Sequence, residues 1–159
     1  MTELPKRYRL LLINCKVVAT MICPVCKSDM IVVEHSKIEL DYCTACQGVW
    51  FDSGELELLL ESAGLESASP LLDDILSSPE VKSSEKKRRC PICGQKMKKA
   101  IIGQQDGILI DICRQGEGLW FDGSEVNQLI RLLADKLPLR PGSGQQVISF
   151  LGEVFKIRE

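Results

Sequence analysis

The sequence predicts a small α+β fold, written twice in tandem and held together by its cysteines rather than by a large core. Three observations predict it. Cys23-Pro24-Val25-Cys26 and Cys43-Thr44-Ala45-Cys46 are two C-x-x-C pairs with sixteen residues between them. The stretch Gly48-Val49-Trp50-Phe51-Asp52-Ser53-Gly54-Glu55 returns as Gly118-Leu119-Trp120-Phe121-Asp122-Gly123-Ser124-Glu125. Cys90-Pro91-Ile92-Cys93 opens the second copy and Cys113 continues it, with Gly116 at the position of Cys46.

Two C-x-x-C pairs at this spacing form the ligand pattern of a tetrahedral four-cysteine zinc site. The chain therefore reads as two metal-stabilised zinc ribbons in tandem, the first with a full ligand set and the second with three cysteines. Each repeat is about 40–45 residues long, near the size where a hydrophobic core alone stops being sufficient. A structural zinc adds roughly 10–16 kcal/mol of apparent binding energy, which in so small a module is folding energy. Disulfides, or iron in a rubredoxin-like or redox dithiol site, are the alternative uses of eight cysteines. Paired knuckles favour thiolates in a reducing compartment.

The elements follow in order. Residues 1–20 are an N-terminal extension. Lys6, Arg7 and Arg9 precede Leu10-Leu11-Leu12-Ile13, as in a signal peptide, but Asn14 and Lys16 interrupt the apolar run. Translation from Met21 is the blander account. The first ribbon, 21–62, has two strands, Met30 to Glu34 and Ile38 to Tyr42, with His35-Ser36-Lys37 as the turn. Ile38, Leu40 and Tyr42 alternate with Glu39 and Asp41, the period of a half-buried strand. Trp50 and Phe51 are expected between hairpin and helix. Asp52 then caps a helix, with Glu55 three residues on completing a capping box and Leu56, Leu59 and Leu60 as the apolar stripe.

Residues 63–88, rich in Ser, Glu and Lys, read as a flexible linker with a short helix over Leu71 to Leu76. The second ribbon, 89–135, repeats the pattern: Lys98 to Ile102, a turn at 103–107, Ile108 to Ile112, then the cap Asp122 and Glu125 with Val126, Leu129, Ile130 and Leu133. The tail, 136–159, ends in an amphipathic stretch where Val147, Ile148, Leu151, Val154 and Phe155 share a helical face.

At the first site, Cys23, Cys26, Cys43 and Cys46 give four protein ligands and leave no open position, so it is structural. At the second, Cys90, Cys93 and Cys113 leave a fourth position for a water or a carboxylate, with Glu117 and Asp111 near in sequence. Three ligands and an open position are the catalytic arrangement in principle, but no general base accompanies them, and the single histidine, His35, belongs to the other repeat. No catalytic set and no organic-cofactor site emerge, and the expectation is a protein that is not an enzyme.

The order Cys-Pro-x-Cys, hairpin, Cys-x-x-Cys, Gly-x-Trp-Phe-Asp-x-x-Glu-Leu resembles the transcription factor IIB-type zinc ribbon of small prokaryotic proteins. Residues 22–61 match it throughout, and 89–133 match it except at Gly116. The resemblance implies Cys23, Cys26, Cys43 and Cys46 as zinc ligands, and Cys90, Cys93 and Cys113 by the same alignment. It implies zinc binding more directly than a role in transcription.

Charge adds the choice of partner. The net charge is −2, yet 21–61 hold eight acidic and two basic residues, while 82–99 hold eight basic residues and only Glu85 as an acid. The expected function is a cytoplasmic adaptor that binds another macromolecule, with two modules on a tether suited to bivalent contact. The partner is a protein, or a nucleic acid through Lys86, Lys87, Arg88, Arg89, Lys96, Lys98 and Lys99. No stretch approaches the roughly 18 apolar residues of a membrane span.

Overall fold

The computed structural model describes residues 8–13, 16–35, 37–62, 75–102 and 107–136. A first hairpin, β1 (Tyr8–Ile13) and β2 (Lys16–Met21), pairs antiparallel from Tyr8–Met21 to Ile13–Lys16. The first ribbon follows with β3 (Ile31–His35), β4 (Ile38–Tyr42), β5 (Val49–Asp52) and α1 (Glu55–Ser62). The second has β6 (Lys98–Ile102), β7 (Ile108–Ile112), β8 (Gly118–Phe121) and α2 (Gly123–Lys136). His35 thus ends a strand, paired with Ile38, instead of sitting in the turn.

The ribbons do not stand apart. Their six strands form one antiparallel sheet in the order β3-β4-β5-β8-β7-β6. The join is β5 against β8, with Val49 opposite Phe121, Trp50 opposite Trp120 and Phe51 opposite Leu119. Equivalent residues of the repeats meet about a local two-fold. This replaces the expectation of two modules on a loose tether. Each ribbon has one unpaired edge at its third strand, and each satisfies it with the other's.

Period-2 alternation along β5 and β8 then sorts the aromatic residues onto two faces. Phe51 and Phe121 point to the helix side and meet edge to face, with centroids 5.3 Å apart. There they join Leu40, Tyr42, Ile110 and Ile112 from the sheet, Leu56, Leu59 and Leu60 from α1, and Val126 and Leu129 from α2. Trp50 and Trp120 point the other way, into a second core with Met21, Met30, Met97 and the buried cysteines. The tryptophans therefore lie on the metal side, not between hairpin and helix as expected, because adjacent strand residues cannot share a face.

Glycines make room for them reciprocally. A β-carbon at Gly48 would lie 2.1 Å from the Trp120 ring, and one at Gly118 would lie 2.6 Å from the Trp50 ring and 2.2 Å from the Phe51 carbonyl oxygen. Each repeat's tryptophan is seated on the other's glycine.

Part of the predicted linker is also packed. Ile75 is buried in the helix-side core, the Val81 amide donates to Lys99 O at 2.8 Å, and Glu80 pairs with Lys87 and Arg114. Residues 75–77 are helical; 71–74, the turn at 103–106 and the C-terminal amphipathic stretch lie outside the described residues.

The helix caps differ between repeats. In the second, Asp122 Oδ1 accepts from the Ser124 and Glu125 amides at 2.9 Å, and Glu125 Oε2 accepts from the Asp122 amide at 2.7 Å, a full capping box. In the first, Glu55 accepts from the Asp52 amide at 2.7 Å, but Asp52 Oδ1 is turned to the Trp50 indole N–H at 2.6 Å. Burial pushes the Glu125 carboxyl up to about 8, against the Asp122 amide that favours the charged form. Since the folded value lies above the ordinary one, the stability it contributes declines as pH rises from about 4.5 through about 8. In urea unfolding of the zinc-loaded chain, Glu125→Gln should therefore gain roughly 1 kcal/mol relative to wild type between pH 7 and pH 9. Parallel curves for the two proteins would place the charge elsewhere.

Candidate metal centre

Four tight turns carry the cysteines. In the first ribbon the Cys23 amide donates to Ser28 O at 2.9 Å and the Lys27 amide to Cys23 O at 3.2 Å, while Cys43 N–Gly48 O and Gln47 N–Cys43 O close the second turn at 2.9 and 2.8 Å. Lys27 and Gln47, each just after the second cysteine, take the left-handed φ of 64° and 63° that such a turn needs. In the second ribbon Cys90 N–Gln95 O and Gly94 N–Cys90 O, at 2.9 and 3.0 Å, build the same turn, with Gly94 at φ 76°. Amides inside the turns also point at sulfur: Val25 N at Cys23, Ile92 N and Cys93 N at Cys90, and Gln115 N at Cys113, all 3.3–3.4 Å away. These donors offset thiolate charge.

The sulfurs of Cys23, Cys26, Cys43 and Cys46 all lie within 4.8 Å of one another, as do those of Cys90, Cys93 and Cys113. Cys23–Cys46, Cys26–Cys43 and Cys93–Cys113 are 3.5, 3.4 and 3.5 Å apart. A tetrahedral zinc with bonds near 2.3 Å separates its sulfurs by roughly 3.8 Å, so both clusters fit the ion. Burial pushes the Cys23 thiol well above its ordinary value, Cys46 up to about 11 and Cys90 up to about 12. At Cys26 burial is outweighed by hydrogen bonds from Ser28 and from its cysteine neighbours, and the thiol comes down to about 6. Without metal the thiols of Cys23, Cys46 and Cys90 keep their protons, and zinc displaces them; binding tightens as pH rises. Bound zinc acts here as a cross-link between the two ends of each hairpin.

Neither carboxylate considered as a fourth ligand joins the second cluster among the described residues. Asp111 is buried and takes the Lys99 ammonium at 3.0 Å, and Glu117 offers its backbone oxygen to the Ser53 amide at 3.0 Å. A thiolate-rich site lacking one thiolate holds zinc less tightly. A chelator titration should empty the second site first, at roughly tenfold lower chelator strength than the first; simultaneous loss would contradict this.

The basic stretch is only partly a surface. Lys99, counted as a phosphate contact from sequence, is buried between Glu85 and Asp111, which hold its charged form up against burial. Lys98 donates to Leu76 O and Ser78 O at 2.8 and 2.9 Å, and Lys87 pairs with Glu80. Register decides this. Lys99 stands opposite Asp111 in β6–β7, whereas in β3–β4 the equivalent place opposite Asp41 is Val32. Among the described residues no cation pairs with Asp41, and it is pushed up to about 6 by burial and by Asp52 and Glu39.

Two hairpins, each gripping a cysteine cluster at one end and followed by a strand and a capped helix, define a tandem zinc ribbon. Residues 22–62 and 89–132, just over half of the chain, match the transcription factor zinc-finger family, of the transcription factor IIB ribbon type. The chain belongs to that family and binds zinc. No curated protein and no solved structure gives a significant match. Among the described residues no helix is long and apolar enough to cross a membrane.

Proposed function

We propose that this protein is a non-enzymatic zinc-stabilised adaptor that binds another protein, in a reducing compartment and in a transcription-related setting such as its family description suggests. The observation that carries this is the free edge of the sheet. Among the described residues β3 pairs only with β4. It exposes Ile31 at 48% and Val32 at 60%, beside the exposed acids Glu34 and Glu39. An unpaired strand with apolar side chains and an acidic border suits an extended segment of a partner that alternates apolar and basic residues, added as a seventh strand. β3 is already paired along its length with β4, so a partner meets a preformed strand.

The probe is a short peptide alternating valine and lysine, added to the zinc-loaded chain and followed by amide chemical shifts. Saturable changes confined to Ile31–His35 and its β4 neighbours, absent with glutamate in place of lysine, support the reading. No change at β3 with either peptide defeats it.

A second reading has its own observation. Lys86, Arg89 and Lys96 are exposed, with no carboxylate partner among the described residues. With Lys99 buried, Lys98 held by backbone oxygens and Lys87 paired with Glu80 at the surface, three or four phosphates are the most this face can neutralise. Any affinity for duplex DNA should then fall with a slope of log K against log salt of roughly −3. A slope steeper than about −5 would mean that cations beyond this set take part.

A further inference from the structure

The second repeat carries a cleft at a place where the first is tied shut. In the first, the residue after Asp52 is held across the join by the Ser53 amide on Glu117 O at 3.0 Å. At the equivalent place in the second, Gly123 stands against Gln47 without such a bond. A cleft of about 480 Å³ opens there, a size that suits a small molecule. Val25 of the first ribbon's knuckle and Asp122 at the start of α2 line it. Glu85, Arg88, Lys99 and Asp111 supply the remaining charges.

Those charges are paired incompletely. Asp111 is 2% exposed, and its Oδ2 takes the Lys99 ammonium at 3.0 Å. Its Oδ1 is buried and accepts no hydrogen bond among the described residues. Lys99 gives a second bond to Glu85 Oε2 at 2.6 Å, and Asp122 Oδ1 is committed to the Ser124 and Glu125 amides. Arg88 is half-buried, and its guanidinium makes no hydrogen bond or ion pair among the described residues. Its charge acts on Asp111, but no bond joins the two. A buried carboxylate oxygen without a donor is costly, and such atoms in folded proteins ordinarily have a partner.

We propose that this cleft binds a free α-amino acid with an apolar side chain, its ammonium on Asp111 Oδ1 and its carboxylate on Arg88. The charge count favours a neutral, dipolar ligand. Lys99 and Arg88 balance Glu85 and Asp111, so a lone cation or anion would leave an uncompensated charge in a half-enclosed place. An α-amino acid brings a donor and an acceptor side by side, which meets the separate needs of Asp111 and Arg88. A carboxylate matches the guanidinium fork, and an ammonium carries donors only. Val25 gives the ligand's side chain an apolar wall. The first repeat lacks the arrangement, because Val32 stands opposite Asp41 where Lys99 stands opposite Asp111. The inference goes beyond the adaptor reading and stands whether or not β3 is a docking edge.

The test titrates the zinc-loaded full chain with L-leucine and, separately, with its two halves, isoamylamine and isocaproate, and follows amide chemical shifts. The expected result is a saturable change at Arg88, Lys99, Asp111 and Gly123 with leucine, and binding roughly tenfold weaker for each half. Arg88→Gln should weaken leucine roughly tenfold and leave the amine unchanged. Asp111→Asn should weaken leucine and leave the carboxylate unchanged. Should Asp111→Asn not fold, the wild-type series and Arg88→Gln decide. The absence of a saturable change at these amides overturns the proposal, as does a half that binds as tightly as leucine. So do shifts that follow loss of zinc to the ligand, measured in the same samples, or an Arg88→Gln protein that binds leucine like wild type.

Discussion

Replacing Cys43 by serine should unfold both ribbons together, although the substitution lies in the first. Cys43 is fully buried, its sulfur 3.4 Å from that of Cys26, and its turn leads directly into β5. Loss of a structural zinc removes roughly 10–16 kcal/mol of apparent binding energy, more than the whole stability of a typical small domain. With β5 gone, β8 keeps only β7 as a strand partner and Trp120 loses its seat on Gly48. Hydrogen exchange should show the amides of β6, β7 and β8 losing protection along with those of β3, β4 and β5. Retention of native protection in the second ribbon would mean that the ribbons fold independently.

Gly118→Ala should come next in effect. The new β-carbon would fall 2.2 Å from a backbone oxygen of Phe51, which no side-chain rotation relieves, and 2.6 Å from the Trp50 ring. Either β5 and β8 separate or the tryptophan leaves its pocket. The cost should approach that of truncating a buried tryptophan, about 3–5 kcal/mol. That is enough to lower the melting temperature of a domain this size by roughly 6–20 degrees. Gly48→Ala meets the Trp120 ring most closely, at 2.1 Å, and should cost less because a side chain can shift where a carbonyl cannot. Thermal unfolding of both variants checks the order; unchanged midpoints would remove the glycines from the account.

Much of this fold is written locally. The cysteine spacing marks the knuckles, and alternation in Ile38–Tyr42 and Ile108–Ile112 marks the strands that face the helices. The Asp-x-x-Glu caps place the helix starts within a residue or two. The third strand of each ribbon was not legible in the same way. Val49-Trp50-Phe51 is a short, unbroken apolar run, buried on both faces, and such a run carries no period. One clue was present: Trp50 and Phe51 are adjacent, and an extended chain must send them to opposite sides, with a glycine at the same offset before each Trp-Phe pair. Pairing of β5 with β8 spans some 70 residues, and no local pattern encodes it. The fate of Lys99 was equally hidden, because a lysine in a basic run becomes an interior ion only through its register with Asp111. The altered corner of the second cluster was half visible: the missing cysteine shows in sequence, but the shift of the left-handed residue onto Gly116 does not.

The claim on which the rest depends is that the two ribbons share one sheet through β5 and β8. It is tested most directly by cross-strand proton contacts in the zinc-loaded protein. Backbone protons of Trp50 should show short contacts to those of Trp120, with Val49 to Phe121 and Phe51 to Leu119 on either side, and the indole of Trp120 should contact the α-protons of Gly48. Contacts confined within each ribbon, with none between residues 49–52 and 118–121, would contradict the account.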